Sequence, residues 1–138
     1  MEPMPRINKV TIRSLQIDDY VQLVQSFRRT YTDGSDVFWS QGQIEKLIAI
    51  FPEGQIVAVA DKKIVGGALY IIVDYDMVKN DHTYDAVTGH ETFDTHKSDG
   101  NILYGIEVFI HPEYRGLRLA RRMYDYRKDL CESLNLKA

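Results

Sequence analysis

The stretch Leu103–Met123 constrains the fold of this chain more than any other. A near-continuous apolar run, Ile102–Ile110, is typical of a buried strand, and Pro112 ends it. Apolar residues at helical spacing then predict a helix over Leu117–Leu134. A strand that leads through a short turn into a long helix is a unit of layered α/β domains. The sequence therefore predicts an α/β fold built around this unit.

The start of the predicted helix is basic and contains small residues. Its order is Arg115, Gly116, Leu117, Arg118, Leu119, Ala120, Arg121. The first N–H groups of a helix have no intrahelical partner and carry partial positive charge. Gly116 and Ala120 let a ligand approach the backbone, and the arginines add charge-assisted hydrogen bonds. The pattern predicts a phosphate site; a helix with a solvated basic face is the alternative.

Periodicity assigns the other elements. The predicted strands are Val10–Leu15, Gln55–Ala60 and Ile64–Val73, and the predicted helices run from Asp18 or Asp19 to Tyr31 and from an N-cap at Ser40 to Phe51. The two later strands form an antiparallel hairpin, in which Gly66 and Gly67 predict a bulge or a close backbone approach. A long polar insert, 74–101, precedes the Ile102–Ile110 strand.

The long helix has a predicted apolar stripe, and a further strand is expected to begin after it. The stripe is Leu119, Met123, Leu130 and Leu134, with Tyr126 beside it, and Tyr124 is also expected to pack. Leu136–Ala138 has the sequence of the start of a further strand. The whole chain, 1–138, is expected to be one domain.

Composition limits the classes of function. A net charge of −3 argues against a nucleic-acid partner. The single cysteine, Cys131, and an N-terminus without an apolar leader favour the reducing cytoplasm. No run approaches the roughly 20 apolar residues of a membrane span, so no membrane association is expected.

The segment Ile106–Ala120 resembles the acetyl-CoA motif of the GNAT acetyltransferase superfamily, Arg/Gln-x-x-Gly-x-Gly/Ala after a central strand. Arg115 and Ala120 match its ends, whereas Arg118 stands at its middle glycine. The element order also matches. The resemblance implies a mixed, mostly antiparallel sheet flanked by helices, an acetyl-CoA or other acyl-CoA cofactor, and direct transfer of the acetyl group to a primary amine that the sequence does not identify. Against that family the C-terminal strands are missing, so we expect a truncated domain.

A more specific resemblance extends over most of the chain. The segments Phe51–Gln55, Val73–Asp76, His82–Tyr84 and Tyr104–Leu119 are similar to the N-terminal acetyltransferase domain of bacterial proteins that also carry a carbon–nitrogen hydrolase domain. This resemblance supports an alternative function, a non-catalytic CoA-binding, regulatory or assembly module that was originally fused to a hydrolase.

The resemblance also implies roles for residues of the central strand. Val108 and Ile110 would present backbone groups to the pantetheine arm, and an N–H near Phe109–Ile110 would stabilise the oxyanion. The resemblance further implies that Phe38 and Trp39, before the second helix, contact the acceptor, with packing under the loop as the alternative.

Glu107 is the candidate general base, because desolvation in an apolar strand raises the pKa of a carboxyl group. Exposure to solvent or pairing with an arginine is the alternative. Tyr104 is a weaker candidate, and we expect His111 to cap the loop.

Two further expectations concern metals and assembly. His82, His90 and His96, with Glu91 and Asp94, are metal-capable but match no tight ligand spacing, so no metal site is predicted. An exposed edge on the central strand favours a partner chain, and we expect a homodimer.

Overall fold

The protein forms a four-stranded antiparallel sheet between two layers of helices in the computed structural model, which describes residues 10–31, 38–78, 84–89 and 92–137. The strands, in spatial order, are β1 (Val10–Ser14), β2 (Gln55–Ala60), β3 (Lys63–Val73) and β4 (Ile102–Ile110). Each neighbouring pair is antiparallel. The predicted α/β class with a mostly antiparallel sheet is confirmed.

Helices cover both faces of the sheet. They are α1 (Tyr20–Thr30), α2 (Gln41–Ile50), α3 (Tyr75–Val78), α4 (Tyr84–Val87) and α5 (Leu119–Leu134). One face packs against α1 and α2, through Leu23, Phe27, Ile44 and Leu47. The other face packs against α5. We call these the α1–α2 face and the α5 face.

The starts of the first two helices differ in how well the sequence predicted them. Ser40 caps α2 as expected, since its hydroxyl accepts from the N–H of Gln43 at 3.2 Å. Asp19 occupies the N-cap position of α1, as predicted, but its side chain makes no capping hydrogen bond to that helix. Its carboxylate instead accepts two hydrogen bonds from Arg13, at 2.8 and 2.9 Å, which hold its pKa below the ordinary value. The predicted N-cap position is therefore confirmed, whereas the capping hydrogen bond is absent because Arg13 and the N–H of Gln16 occupy the Asp19 carboxylate. Gln16 precedes a 3-10 turn, Ile17–Asp19, that leads into α1.

The two glycines of β3 lie where other groups approach the backbone closely. A Cβ on Gly66 would stand 2.6 Å from the carbonyl oxygen of Phe109, and one on Gly67 would stand 2.9 Å from Leu23. The β2–β3 register also shifts between Ala58 and Val59. The predicted bulge and close approach are both confirmed.

The polar insert, 74–101, packs against the core and hydrogen-bonds the sheet. Val87 and Phe93 are buried in the core on the α1–α2 face. His96 accepts a hydrogen bond at Nδ1 from the N–H of Ile72, at 3.0 Å, and its ring stacks on Phe51. The insert therefore binds β3 where β2 no longer pairs with it.

The histidines of the insert divide between the described and the undescribed residues. His82, His90 and Glu91 lie outside the described residues. Within them, no three His, Cys, Asp or Glu side chains are grouped to hold a metal ion. The nitrogen Nδ1 of His96 serves the sheet, and Asp94 pairs with Lys46.

The structure corrects the long helix in three places. It begins at Leu119 instead of Leu117, because Arg118 has a left-handed backbone. Leu134 is 39% exposed, since it lies in the last turn before the chain leaves the helix at Asn135. Tyr124 is 60% exposed, because it lies about 100° around the helix from the buried Met123.

The segment after α5 returns to the start of β4. Lys137 donates to the carbonyl of Asn101 at 2.8 Å and accepts from the N–H of Leu103 at 2.9 Å, which forms a parallel bridge with Ile102. The predicted start of a further strand after α5 is thus observed as a single β-bridge. It follows that α5 runs antiparallel to β4. Among the described residues, no helix has the length and apolar character needed to cross a membrane.

Candidate functional site

A bulge in β4 sets the position of Glu107. Glu107 lies opposite Leu69, whereas Tyr70 lies opposite Gly105, so Ile106 is an extra residue in β4. Directly paired residues share a face of a sheet, which places Glu107 with Leu69 on the α1–α2 face. The side chain is half-buried and contacts another group of the chain. The candidate base therefore lies in a partly desolvated position in the middle of the sheet.

The next three residues of β4 alternate between the two faces. Val108 is 49% exposed on the α5 side, whereas Phe109 and Ile110 are buried. The Phe109 ring packs edge-on against Phe27, with centroids 5.5 Å apart. Because these two side chains fill the core, a ligand along β4 meets the side chain of Val108 and the backbone of Phe109 and Ile110.

Phe38 and Trp39 attach the α1–α2 connection to the core. The Phe38 ring lies 4.9 Å from Phe27 and 6.4 Å from Phe109, between centroids. The Trp39 ring lies 5.4 Å from Phe93, and its carbonyl accepts from the Tyr20 hydroxyl at 2.7 Å. Packing is thus a visible role of both residues. They remain candidates for acceptor contact, because both are half-buried on the same face as Glu107.

His111 organises the turn after β4. It is buried, and its Nδ1 accepts from the N–H of Glu113 at 3.2 Å, at the start of the 3-10 turn Pro112–Leu117. Its own N–H donates to Val65 at 2.7 Å, which attaches the turn to β3. The expected capping role is confirmed. Arg115, Gly116 and Leu117 lie in this turn, and their side chains are outside the described part of the structure.

Arg118 connects the turn to α5 through an uncommon backbone conformation. Its φ is 59° and its ψ is 24°, in the left-handed region that glycine adopts without strain. This geometry explains why the resembled motif has glycine at this position. The Arg118 side chain is exposed and makes no capping hydrogen bond. The N–H groups of the first turn therefore remain uncapped by this side chain.

The first turn of α5 combines an anchor with an open surface. The Leu119 side chain is fully buried and fixes the helix start against the α5 face. Ala120 and Arg121 are exposed, and Arg121 pairs with Asp125 at 3.3 Å. The strand–turn–helix unit thus presents a basic helix start with a small residue, as an anion site requires.

One cluster on the α5 face was missed by sequence reasoning. Arg127 occupies the apolar stripe of α5, and its guanidinium carbon lies 5.6 Å from the centroid of the buried Tyr70 ring. Burial raises the pKa of Tyr70 and of Cys131, and the nearby Arg127 opposes both shifts. An arginine four residues after Met123, within the stripe, was the signal available in the sequence. On the other face, burial raises the pKa of Tyr104.

The comparison with protein families decides the identity of this fold. Residues 20–138 match the Acetyltransferase (GNAT) family. The chain belongs to this family. The β4–turn–α5 unit of this GNAT domain carries the motif that the sequence had indicated, and the family uses acyl-CoA as its co-substrate.

Two relatives and one solved structure are similar to this GNAT domain. It is 31% identical over 130 residues to the probable hydrolase YhcX of Bacillus subtilis, covering 94% of this chain and 25% of YhcX. It is 26% identical to the uncharacterized N-acetyltransferase YkwB of the same organism, covering 84% of this chain and 52% of YkwB. The fold is similar to the loading GNATL domain of CurA from Lyngbya majuscula, with a TM-score of 0.71, 22% identity, and coverage of 90% of this chain and 59% of that one. The chain thus spans about a quarter of the length of YhcX and about half of the length of YkwB.

Proposed function

We propose that this GNAT domain binds acetyl-CoA, or another acyl-CoA, and transfers the acyl group to a primary amine by direct attack. The observation that carries the proposal is the continuity of one unit. The strand with the half-buried Glu107 ends at Ile110, and the turn after it leads into the basic first turn of α5. A candidate base and a candidate phosphate site therefore lie on one continuous strand–turn–helix unit.

In this proposal the start of α5 holds the pyrophosphate. The uncapped N–H groups of the first turn donate to its oxygens, and Gly116 and Ala120 leave room for it. Arg115, Arg118 and Arg121 add charge-assisted hydrogen bonds. Leu117 and Leu119 contribute through the backbone, since the side chain of Leu119 is fully buried.

The pantetheine arm then follows β4. Backbone groups of Val108 and Ile110 hydrogen-bond its amides as an added strand would, and a main-chain N–H at Phe109 or Ile110 stabilises the oxyanion. The amine nitrogen attacks the thioester carbon, the C–S bond breaks, and the amine proton passes to Glu107. The CoA thiolate takes up a proton from water, and Glu107 releases its proton to solvent before the next turnover. The acceptor approaches from the α1–α2 face, beside Phe38 and Trp39.

Calorimetric titration of acetyl-CoA into the 138-residue chain tests the cofactor site. We expect saturable binding, and much weaker binding of S-acetylpantetheine, which lacks the phosphates. The double variant Arg118→Gln/Arg121→Gln should weaken acetyl-CoA binding by about tenfold or more, whereas Lys128→Gln, an exposed change on the same helix, should not. Absence of acetyl-CoA binding at millimolar concentration would contradict the proposal.

A second candidate is a non-catalytic acyl-CoA-binding or assembly module attached to a hydrolase. The match of this chain to a quarter of the probable hydrolase YhcX favours it. Such a module retains acyl-CoA binding and has no transfer activity for Glu107→Gln to abolish. A module with an assembly role alone binds no acyl-CoA.

We also propose that the domain forms a homodimer in the cytoplasm. The buried free thiol of Cys131 is compatible with a reducing compartment. In the described sheet β4 is the last strand of the order, and a second copy can cover the part of its edge that the pantetheine arm leaves free. Light scattering at micromolar concentration should give the mass of two chains, and the mass of one chain would contradict the dimer.

A further inference from the structure

Arg127 is a half-buried charged group at the border of the core on the α5 face. It lies on α5 between the buried Met123 and Cys131 and stacks on the Tyr70 ring, 5.6 Å from its centroid. Its Nε is buried and has no hydrogen-bond partner among the residues that the structure describes. A buried donor of a cationic group is unfavourable unless an acceptor satisfies it. Arg127 therefore has the features of a residue whose anionic partner is a ligand.

Tyr70 contacts both Arg127 and the bulged part of β4. Tyr70 and Gly105 are directly paired, and a Cβ on Gly105 would stand 3.5 Å from the Tyr70 ring. Because Gly105 has no side chain and is exposed, space is open beside the ring at this point of β4. Arg127 lies over the same ring, so it flanks that space on the α5 side of the sheet.

Arg127 lies about two turns along α5 from the proposed phosphate site. The helix runs antiparallel to β4, and Arg127 is eight residues from Leu119, or about 12 Å along the axis. A ligand with its phosphates at the start of α5 and its arm along β4 therefore extends its acyl end toward the level of Arg127. Glu107 lies on the opposite face of the sheet, so it does not neutralise Arg127.

We propose that Arg127 binds a carboxylate at the end of the acyl group, so that this domain selects acyl-CoAs with a terminal carboxylate, such as succinyl-CoA. This inference rests on the proposed function. A guanidinium presents its N–H groups as a planar fork, which fits the two oxygens of a carboxylate. Contact with the Tyr70 ring holds the guanidinium beside the open space at Gly105. Arg127 is thus a specificity-determining residue for the acyl donor.

Succinyl-CoA and butyryl-CoA form a matched pair of probes. Both carry four acyl carbons, and they differ in a terminal carboxylate against a methyl group. Calorimetry with the wild-type chain should show succinyl-CoA binding about tenfold more tightly. Arg127→Gln should abolish that preference, because it weakens the binding of succinyl-CoA and leaves that of butyryl-CoA unchanged. Arg127→Lys should retain part of the preference, and Lys128→Gln should retain all of it. Circular dichroism and urea unfolding of each variant establish that it is folded.

The possible results separate this inference from the proposed function. Equal affinity of the wild-type chain for the two probes overturns the carboxylate preference and leaves acyl-CoA binding in place. If folded Arg127→Gln still prefers succinyl-CoA, another residue recognises the carboxylate, and the inference is also overturned. Binding of neither probe overturns the proposed function and the inference with it. If Arg127→Gln does not fold, Arg127→Lys decides, because loss of the fork at constant charge must reduce the preference.

Discussion

The side chain of Gln55 pairs with the backbone of Tyr70 as a peptide group of a neighbouring strand would. Its Nε2 donates to the Tyr70 carbonyl at 2.7 Å, and its Oε1 accepts from the Tyr70 N–H at 3.1 Å. The same Nε2 donates to the Phe51 carbonyl at 3.0 Å. Gln55 is fully buried, and it extends the β2–β3 ladder beyond the last backbone pair. The Tyr70 ring that supports Arg127 is therefore positioned by this amide.

Replacement of Gln55 by leucine should destabilise the domain by about 3 kcal/mol. Leucine leaves both backbone groups of Tyr70 buried without partners, and each unsatisfied group is costly. Urea unfolding followed by circular dichroism measures the change. Gln25→Leu on the exposed surface of α1 is the control and should change the unfolding free energy by less than about 0.5 kcal/mol. Equal effects of the two variants would contradict the role of Gln55.

Replacement of Arg118 by glycine should stabilise the domain by about 1 kcal/mol, because a side chain in the left-handed region is strained. Lys128→Gly, at an exposed position in the middle of the same helix, should instead destabilise it by about 1 kcal/mol. Urea midpoints of the two variants give the comparison. A loss of stability in both would show that Arg118 is not strained in the folded chain.

His96 should make stability depend on pH between neutral and acidic conditions. Burial lowers the pKa of His96 below its ordinary value of 6.5, and the nearby Glu53 opposes this only in part. The neutral ring accepts from Ile72, and protonation removes that acceptor. The unfolded chain therefore binds the proton more readily than the folded chain does, so stability is full above 6.5 and falls as the pH drops below it.

The test of His96 compares unfolding free energies of the wild-type chain and His96→Asn at several pH values. The difference between the two should shrink as the pH falls below 6.5, because the wild-type chain loses its advantage there. The carboxyl group of Asp19 has its pKa lowered from 3.8, so its contribution is lost only at lower pH and is separable. A difference that is constant with pH would exclude His96 as the titrating group.

Glu107→Gln should separate transfer from binding. If Glu107 accepts the proton of the amine, the variant loses about 100-fold or more in kcat while the Kd for acetyl-CoA stays within twofold. Release of free CoA thiol, measured with a panel of primary amines, gives the rate, and calorimetry gives the affinity. Glu45→Gln on the exposed surface of α2 is the control. Full activity of Glu107→Gln would assign the base to another residue.

The local elements of this fold were predictable because their signals lie in neighbouring residues. Apolar periodicity places β2, β3 and β4 within one residue of their observed bounds, and Ser40 followed by Gln43 specifies the start of α2. The motif after β4 likewise indicated the family that residues 20–138 match. These features depend on the order of residues along the chain.

Other features depend on residues far apart in sequence. Asp19 was available to cap a helix until the fold brought it against Arg13. Phe93, in a polar insert, became core because the insert returns over Trp39. The face of the sheet on which Glu107 lies was likewise set by the pairing of β4 with β3 and by the bulge at Ile106. A pattern of neighbouring residues does not predict such pairing.

By itself the sequence determined the strand–turn–helix unit, the family and the basic start of α5, since periodicity, glycine and charge act over a few residues. Only the tertiary structure decided the left-handed backbone of Arg118 and the position of Arg127 over Tyr70 and beside Gly105. The physical reason is that burial and electrostatic partners are properties of the space around a side chain. That space is created when β3, β4 and α5 pack together.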